Sequence, residues 1–265
     1  MPKEKRLTGT QEWCEKTINI SLGCSHGCKY CFARQGAVVR YSRVTAEGWE
    51  TERINQKNVN KRYGKVKNNN NAVYDVMMPS THDITPATLP SMLIVLKKVL
   101  SAGNTVLIVS KPHLDCIKEL VEELAPWKAQ IAFRFTISSV DDALLKYWEP
   151  GAPNFSERLE SLQYAYGHGF VTSVSAEPSL YLPDSVKLVR VLEQFVSETI
   201  WIGKMNRVGP SFIKTPEDKR MVGAVKEGQK DAVVLEVYQA LKNHPKIRWK
   251  DSIKDTLKKK FNITV

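Results

Sequence analysis

Short apolar runs rich in β-branched residues alternate along this chain with longer stretches in which apolar positions return every three or four residues. The first pattern fits a strand buried on both faces, and the second fits an amphipathic helix. Strands are predicted over residues 17–22, 72–78, 105–110, 130–138, 171–177 and 199–203. Helices are predicted over 45–62, 86–102, 114–127, 155–168 and 184–197, with 231–243 and 252–261 following the sixth strand. Pro86 and Asp184 stand where helices would start, and Gly103 and Gly169 stand just past where they would stop. Asp141 is placed to cap a short helix after the fourth strand. Alternation of this kind builds a parallel sheet, because each helix returns the chain to the edge where the next strand begins. Six such strands predict an α/β fold, a partial (β/α)6 TIM-like barrel. No Pro/Ser-rich linker divides residues 1–265, so the chain reads as a single barrel domain with short terminal extensions. Residues 57–71, KNVNKRYGKVKNNNN, are basic and short of apolar side chains, as expected of a loop or a frayed helix end.

Composition narrows the setting. At 265 residues the chain can bury a full core, and it has no apolar run long enough to span a bilayer. The start, MPKEKR, is not followed by an apolar segment of signal-peptide type, so a cytoplasmic, reducing compartment is expected, without a membrane partner. Its five cysteines are then expected to bind metal or do chemistry rather than pair. The net charge of +11 favours an anionic partner, with basic residues gathered over 34–67, 204–230 and 246–260. Each run alone also reads as an ordinary solvated face.

Cys24, Cys28 and Cys31 stand in the string GCSHGCKYCFAR, directly after the first predicted strand. Three thiolates spaced four and three positions apart, with Tyr30 just before the last, suit one soft metal centre. A structural zinc site usually takes four protein ligands, and no second pair follows Cys31, although His26 lies inside the loop. Three buried, metal-free thiols fit poorly with so polar and Gly-punctuated a loop. Cys14 and Cys116 share no spacing with the three; Cys14 reads as unpaired and Cys116 as a small core residue of a helix.

Parallel barrels carry their chemistry at the carboxyl ends of their strands. There the chain places Ser80, Thr81, His82 and Asp83, then Ser110 and Lys111, then Ser138, and then Glu177. Singly, Asp83 reads equally well as a helix cap, Lys111 as a surface charge and Ser138 as a strand-end hydroxyl. Together with the cysteine loop, these segments resemble the radical SAM superfamily, and within it the spore photoproduct lyase-like branch. The resembling stretches are CSHGCKYCFAR, STHDIT, the pair Ser110-Lys111, and TISSVDDALLKYWEPGAPNFSERLESL, in which Glu149 to Pro153 and Arg158-Leu159 follow the branch's pattern. They cover most of residues 16–180.

The resemblance implies a [4Fe–4S] cluster on Cys24, Cys28 and Cys31, its fourth iron chelating S-adenosylmethionine (SAM) and its electron cleaving SAM to a 5′-deoxyadenosyl radical. It implies SAM contacts from Lys111 and Ser138, support from the turn holding Ser80 and Asp83, and Tyr30 near the adenine. Glu177 stands on the same rim, where SAM needs partners for its amino group and ribose. A one-electron donor such as flavodoxin or ferredoxin is implied as a partner. Where the lyase of this branch has a cysteine that returns a hydrogen atom to the product, this chain has Ser80. Its O–H bond is far stronger than a thiol S–H bond, which argues against thymine-dimer repair by that route. For the substrate, the positive balance favours a nucleic acid or nucleotide, and the short length favours a peptide or small metabolite. A metal-binding module that holds nucleic acid without catalysis is the reading from another class.

Overall fold

The apolar runs become strands of one parallel sheet close to their expected bounds, except the first. There the parallel strand ends at Thr17, and of the predicted 17–22 only Ser21 and Leu22 are otherwise extended, in a separate antiparallel ladder. In the computed structural model, which describes residues 9–265, the strands are β1 (Cys14–Thr17), β2 (Ser21–Leu22), β3 (Arg53–Ile54), β4 (Tyr74–Met78), β5 (Val106–Ser110), β6 (Ile131–Thr136), β7 (Val171–Ala176), β8 (Ile200–Ile202) and β9 (Ile247–Trp249). Seven form the main sheet in the order β1-β4-β5-β6-β7-β8-β9, every neighbouring pair parallel, while β2 and β3 form a small antiparallel ladder beside it. The helices are α1 (Phe32–Arg34), α2 (Gln56–Asn60), α3 (Leu89–Ser101), α4 (Leu114–Glu123), α5 (Asp142–Trp148), α6 (Phe155–Gly167), α7 (Ser185–Leu192), α8 (Pro216–Gly228), α9 (Asp231–Leu241) and α10 (Asp251–Phe261). No helix among the described residues is long and apolar enough to cross a membrane.

One face of the sheet is dry. Val76, Met78, Ile108, Phe133, Phe135, Val174 and Ile202 meet Leu96, Leu120, Leu162 and Leu188 from the helices in a single apolar cluster. The opposite, concave face is not simply apolar. Between Phe133 and Phe135 the alternation of a strand turns Arg134 to that side, where its Nε donates to Ser173 Oγ at 3.0 Å. Its guanidinium lies 4.8 Å from the ring of Trp13 and 5.6 Å from that of Trp201. Burial lowers its pKa to about 10. Lys250, just past β9, reaches across the gap between the first and last strands. Its Nζ lies 2.7 Å from Glu12, 3.7 Å from Glu177 and 4.2 Å above the Trp13 ring.

Three departures from the sequence reading stand out. Residues 45–62 are not one helix but a 3-10 turn (Glu47–Glu50), strand β3 and the short α2. Trp49 explains this: buried to 2% exposure against Cys24 and Ala37, it spends the segment's apolar face on the cysteine loop. A seventh strand, β9, joins the expected six; at three residues it is too short to show a period between two helices. Helix α8 was also not foreseen, although Thr215, Pro216 and Asp218 form a capping box at its start.

Candidate active site

The cysteine loop is fixed from three directions before any side-chain chemistry is considered. Its entry is held by the β2–β3 ladder and by the Cys24 N–H, which donates to Trp49 O at 2.9 Å. Gly23 permits this approach: it has φ +100°, and a Cβ there would lie 2.3 Å from Thr51 O. On the far side, Gly151 N–H donates to His26 O, and Lys29 N–H to Trp148 O, both at 2.9 Å. A Cβ on Gly151 would meet Ser25 O at 2.3 Å, so the EPGAP stretch can lie against the loop only with glycine there. Glu52 closes the third side, accepting from Ser25 N at 3.2 Å, Ser25 Oγ at 3.0 Å and Thr85 Oγ1 at 2.7 Å.

Cys24 and Cys28 are each 6% exposed, and Cys31 is the least covered of the three. Burial pushes the Cys24 thiol up to about 12, helped by Asp83, and raises Cys28 and Cys31 as well. Lys111 is the one cation that pulls all three downward. Buried thiols of this kind become thiolates when a metal supplies the missing positive charge, and a coordinating thiol is then ionised outright. The donor set therefore fits a soft, sulfur-ligated centre.

Asp83 is the hub beneath the loop. Its Oδ1 accepts from Ser110 Oγ at 3.1 Å and Lys111 N at 2.6 Å, and its Oδ2 pairs with His26 Nδ1 at 2.9 Å. Lys111 Nζ lies 3.6 Å from the same Oδ2. Burial alone would raise the carboxyl pKa, but Lys111 and His26 outweigh it and hold it well below the usual range. Lys111 is held charged in return: burial works against it, and Asp83, Cys28, Tyr30 and Glu149 override that. Its Nζ makes no closer polar contact among the described residues, so donors remain for an anionic ligand.

Cys24, His26 and Asp83 bring donor atoms within 4.8 Å of one another. That trio is a poor zinc site, because both imidazole nitrogens of His26 are taken: Nδ1 by Asp83 and Nε2 by His113 Nε2 at 3.0 Å. His82 is likewise structural. Its Nε2 accepts from the amides of Ile20 and Ser21, which leaves the proton on Nδ1, facing Asp83 O.

A second network braces the other wall. Tyr30 Oη donates to Glu149, as does Ser138 Oγ at 3.1 Å, and Arg158 Nη2 lies 2.6 Å from the other carboxylate oxygen. Arg158 also donates from Nε to Pro153 O at 2.8 Å and from Nη1 to Thr136 O at 3.3 Å. Glu149 and Arg158 are fully buried, and Lys111 lies 5.9 Å from the Tyr30 ring.

The structure thus brings Cys24, Cys28, Cys31, Tyr30, Asp83, Lys111 and Ser138 into two linked networks. Ser80 sits at their margin, tied to Asn19 through both its Oγ and its N–H at 2.9 and 2.7 Å. Glu177 does not join them; its neighbours are Lys250 and Glu12, and burial raises its pKa. Cys14 and Cys116 are buried and free, Cys116 inside the helix core as expected. Sequence reasoning gave no role to Asn19, Glu52 or His113, whose partners lie tens of residues away in the chain.

The pattern of residues 18–178, more than half of the chain, matches the family described as the radical SAM superfamily. The chain belongs to that superfamily. Solved structures of similar fold include spore photoproduct lyase variants and SuiB. A spore photoproduct lyase variant superposes with TM-score 0.55 at 16% identity, covering 88% of this chain and 75% of that one. Another, with bound AdoMet and dinucleoside spore photoproduct, gives 0.55 at 15% over the same shares. SuiB of Streptococcus suis, bound to S-adenosylmethionine, gives 0.55 at 12%, over 96% of this chain and 54% of that one. Among curated proteins the chain is 26% identical over 193 residues to the uncharacterised ORF301 of Acidianus two-tailed virus, covering 70% of this chain but only 63% of that protein's length. Members of the superfamily use SAM and an iron–sulfur cluster. The expected half-barrel is present, with one parallel strand more than the six predicted.

Proposed function

We propose that Cys24, Cys28 and Cys31 ligate a [4Fe–4S] cluster, that Lys111 holds the SAM carboxylate, and that the substrate is a nucleic acid or nucleotide. The cluster, when bound, supplies one electron that cleaves SAM to methionine and a 5′-deoxyadenosyl radical able to abstract hydrogen. The chain's own residues do the rest. Asp83 keeps Lys111 charged and holds His26, so the ammonium and the loop backbone stay in register. Glu149, clamped by Arg158, accepts the hydroxyl hydrogen bonds of Tyr30 and Ser138, so each of those oxygens keeps lone pairs that can accept from ribose hydroxyls or the adenine amine. Ser80 is held by Asn19 and offers no readily abstracted hydrogen.

The observation that carries the reading is the set of three thiols in one loop, two of them buried, sharing one cation, Lys111. For the substrate, support comes from the likeness to a structure holding a dinucleoside and from a cavity of about 310 Å³ lined by Lys16, Lys61, Arg62, Tyr63, Lys65 and Lys67. Helix α2 leads into this flank and is bonded to the stretch between β1 and β2 through Asn55 N–Ile20 O and Asn58 Nδ2–Asn19 O. The test is anaerobic reconstitution followed by reduction with SAM. The protein should be brown, carry about four irons per chain and release 5′-deoxyadenosine, and Cys24→Ala, Cys28→Ala or Cys31→Ala should each abolish that release. A colourless protein with stoichiometric zinc and no iron would overturn the reading.

A further inference from the structure

The three cysteines are not equally covered: Cys24 and Cys28 are each 6% exposed, whereas Cys31 is partly open. Cys31 is also the N-cap of α1, its Sγ accepting from Arg34 N at 3.4 Å, and the chain continues from there into a π-helical turn (Gln35–Arg40). The inner side of this segment packs Ala37 and Val38 against Cys24 and Trp49. Its outer side is unlike the rest of the surface. The four most exposed large apolar side chains among the described residues are Val39 at 76%, Val73 at 69%, Phe32 at 65% and Tyr41 at 55%, and all but Val73 lie here. Arg34, Arg40 and Arg43 stand among them, the last two 5.3 and 5.0 Å from the Tyr41 ring. None of the three makes an ion pair among the described residues, and no Asp or Glu occurs from Phe32 to Ala46.

We propose that this face, formed by Phe32, Arg34, Val39, Arg40, Tyr41 and Arg43, is the docking surface for an acidic one-electron carrier protein of the flavodoxin or ferredoxin class. The proposal rests on the reading that Cys24, Cys28 and Cys31 hold a cluster. The carrier would give up one electron and the cluster would gain it, entering from the side of Cys31, the most open ligand. The mixture of apolar and arginine side chains suits the core of a protein–protein contact, in which aromatic residues and Arg are enriched. Positive charge without neutralising carboxylates suits an acidic partner and fast, salt-sensitive encounter. A nucleic acid is better served by the lysine-lined flank at Lys61–Lys67, because the exposed apolar side chains of Phe32 and Val39 offer phosphates nothing.

The experiment compares two reductants on the reconstituted protein, following loss of the cluster's visible absorbance by anaerobic stopped flow. Reduced flavodoxin needs the docking face; dithionite, a small ion, does not. For the double variant Arg40→Glu/Arg43→Glu, reduction by flavodoxin at low salt should slow tenfold or more and lose its salt dependence, with iron content and the dithionite rate unchanged. Val39→Ser, at a side chain packed against no core residue, should slow only the flavodoxin reaction, several-fold, with no change in net charge. Equal flavodoxin rates in parent and both variants would overturn the proposal. So would parallel losses with both reductants, or a loss of nucleic-acid affinity with flavodoxin reduction intact. A parent protein that takes up no iron fails at the earlier step, and sinks the cluster reading and this proposal together.

Discussion

Lys111 is the cation that the cysteine loop, Asp83 and Tyr30 share. It follows β5, where an apolar strand has just ended, and it is the shared countercharge of three thiols, a tyrosine and two carboxylates. Removing it would leave Asp83 a buried carboxylate held by Ser110 Oγ, the backbone N–H of residue 111 and His26 Nδ1, without its lysine countercharge. Lys111→Ala is expected to weaken SAM binding by roughly 1–3 kcal/mol, the range for losing a hydrogen bond to a charged group. Iron content should be preserved, since the cysteines and the backbone bonds of the loop do not involve its side chain. Equilibrium binding of SAM to the reconstituted variant, beside an iron assay, checks both halves. Lys111 was legible from its place after a strand, and the cysteines from their spacing. His113 was not legible: its meaning depends on His26, 87 positions earlier, meeting it at 3.0 Å. Glu177 misled in the opposite direction, because a carboxylate at a strand end looks alike in sequence whether its neighbour is a ligand or Lys250.

Among the elements, the stretch from α5 into α6 deserves a mechanical reading. Trp148, Gly151 and Pro153 carry backbone contacts to the cysteine loop and to Arg158, and Glu149 carries Tyr30 and Ser138. The Glu149–Arg158 pair is what keeps this stretch folded back on the barrel rim. Arg158→Leu would leave the carboxylate buried and uncompensated, and breaking a buried pair in this way costs about 3–5 kcal/mol. Urea unfolding of the metal-free protein should show that loss, and cluster uptake should fall with it, because Tyr30 and the loop lose their brace. A variant as stable as the parent would show that the pair is incidental. Strands were the most legible elements, since buried parallel strands are continuous apolar runs and their ends coincide with a change to polar residues. The segment around Trp49 was not, because a helical period there is overridden by the β2–β3 ladder and by packing on Cys24. In α8 the buried Met221, Val222 and Val225 were masked by the charges around them.

For the whole molecule, charge is the property that outlasts any single contact. The net charge is +11, and on the flank that follows α2 the one ion-paired lysine is Lys65, matched by Asp75 at 2.6 Å. Lys16, Lys61, Arg62 and Lys67 make no ion pair among the described residues and line the same cavity. If they hold phosphates, substituting all four by Ala should weaken nucleic-acid binding and flatten the slope of log K against log salt by up to roughly 3.6 for a duplex, at about 0.9 per phosphate contact. Filter binding or fluorescence anisotropy over a salt series measures it. An unchanged slope would point to a small-molecule or peptide substrate bound within the barrel.

Among the described residues the two outer strands of the sheet, β1 and β9, have no ladder partner on their far sides, and side chains bridge that end of the sheet: Lys250 with Glu12, Glu177 and Trp13, and Trp13 with Trp201 of β8. The molecule is therefore a bracelet with a clasp, not a welded ring. Its circumference can widen by exchanging a few side-chain contacts for water, with every strand-to-strand bond intact.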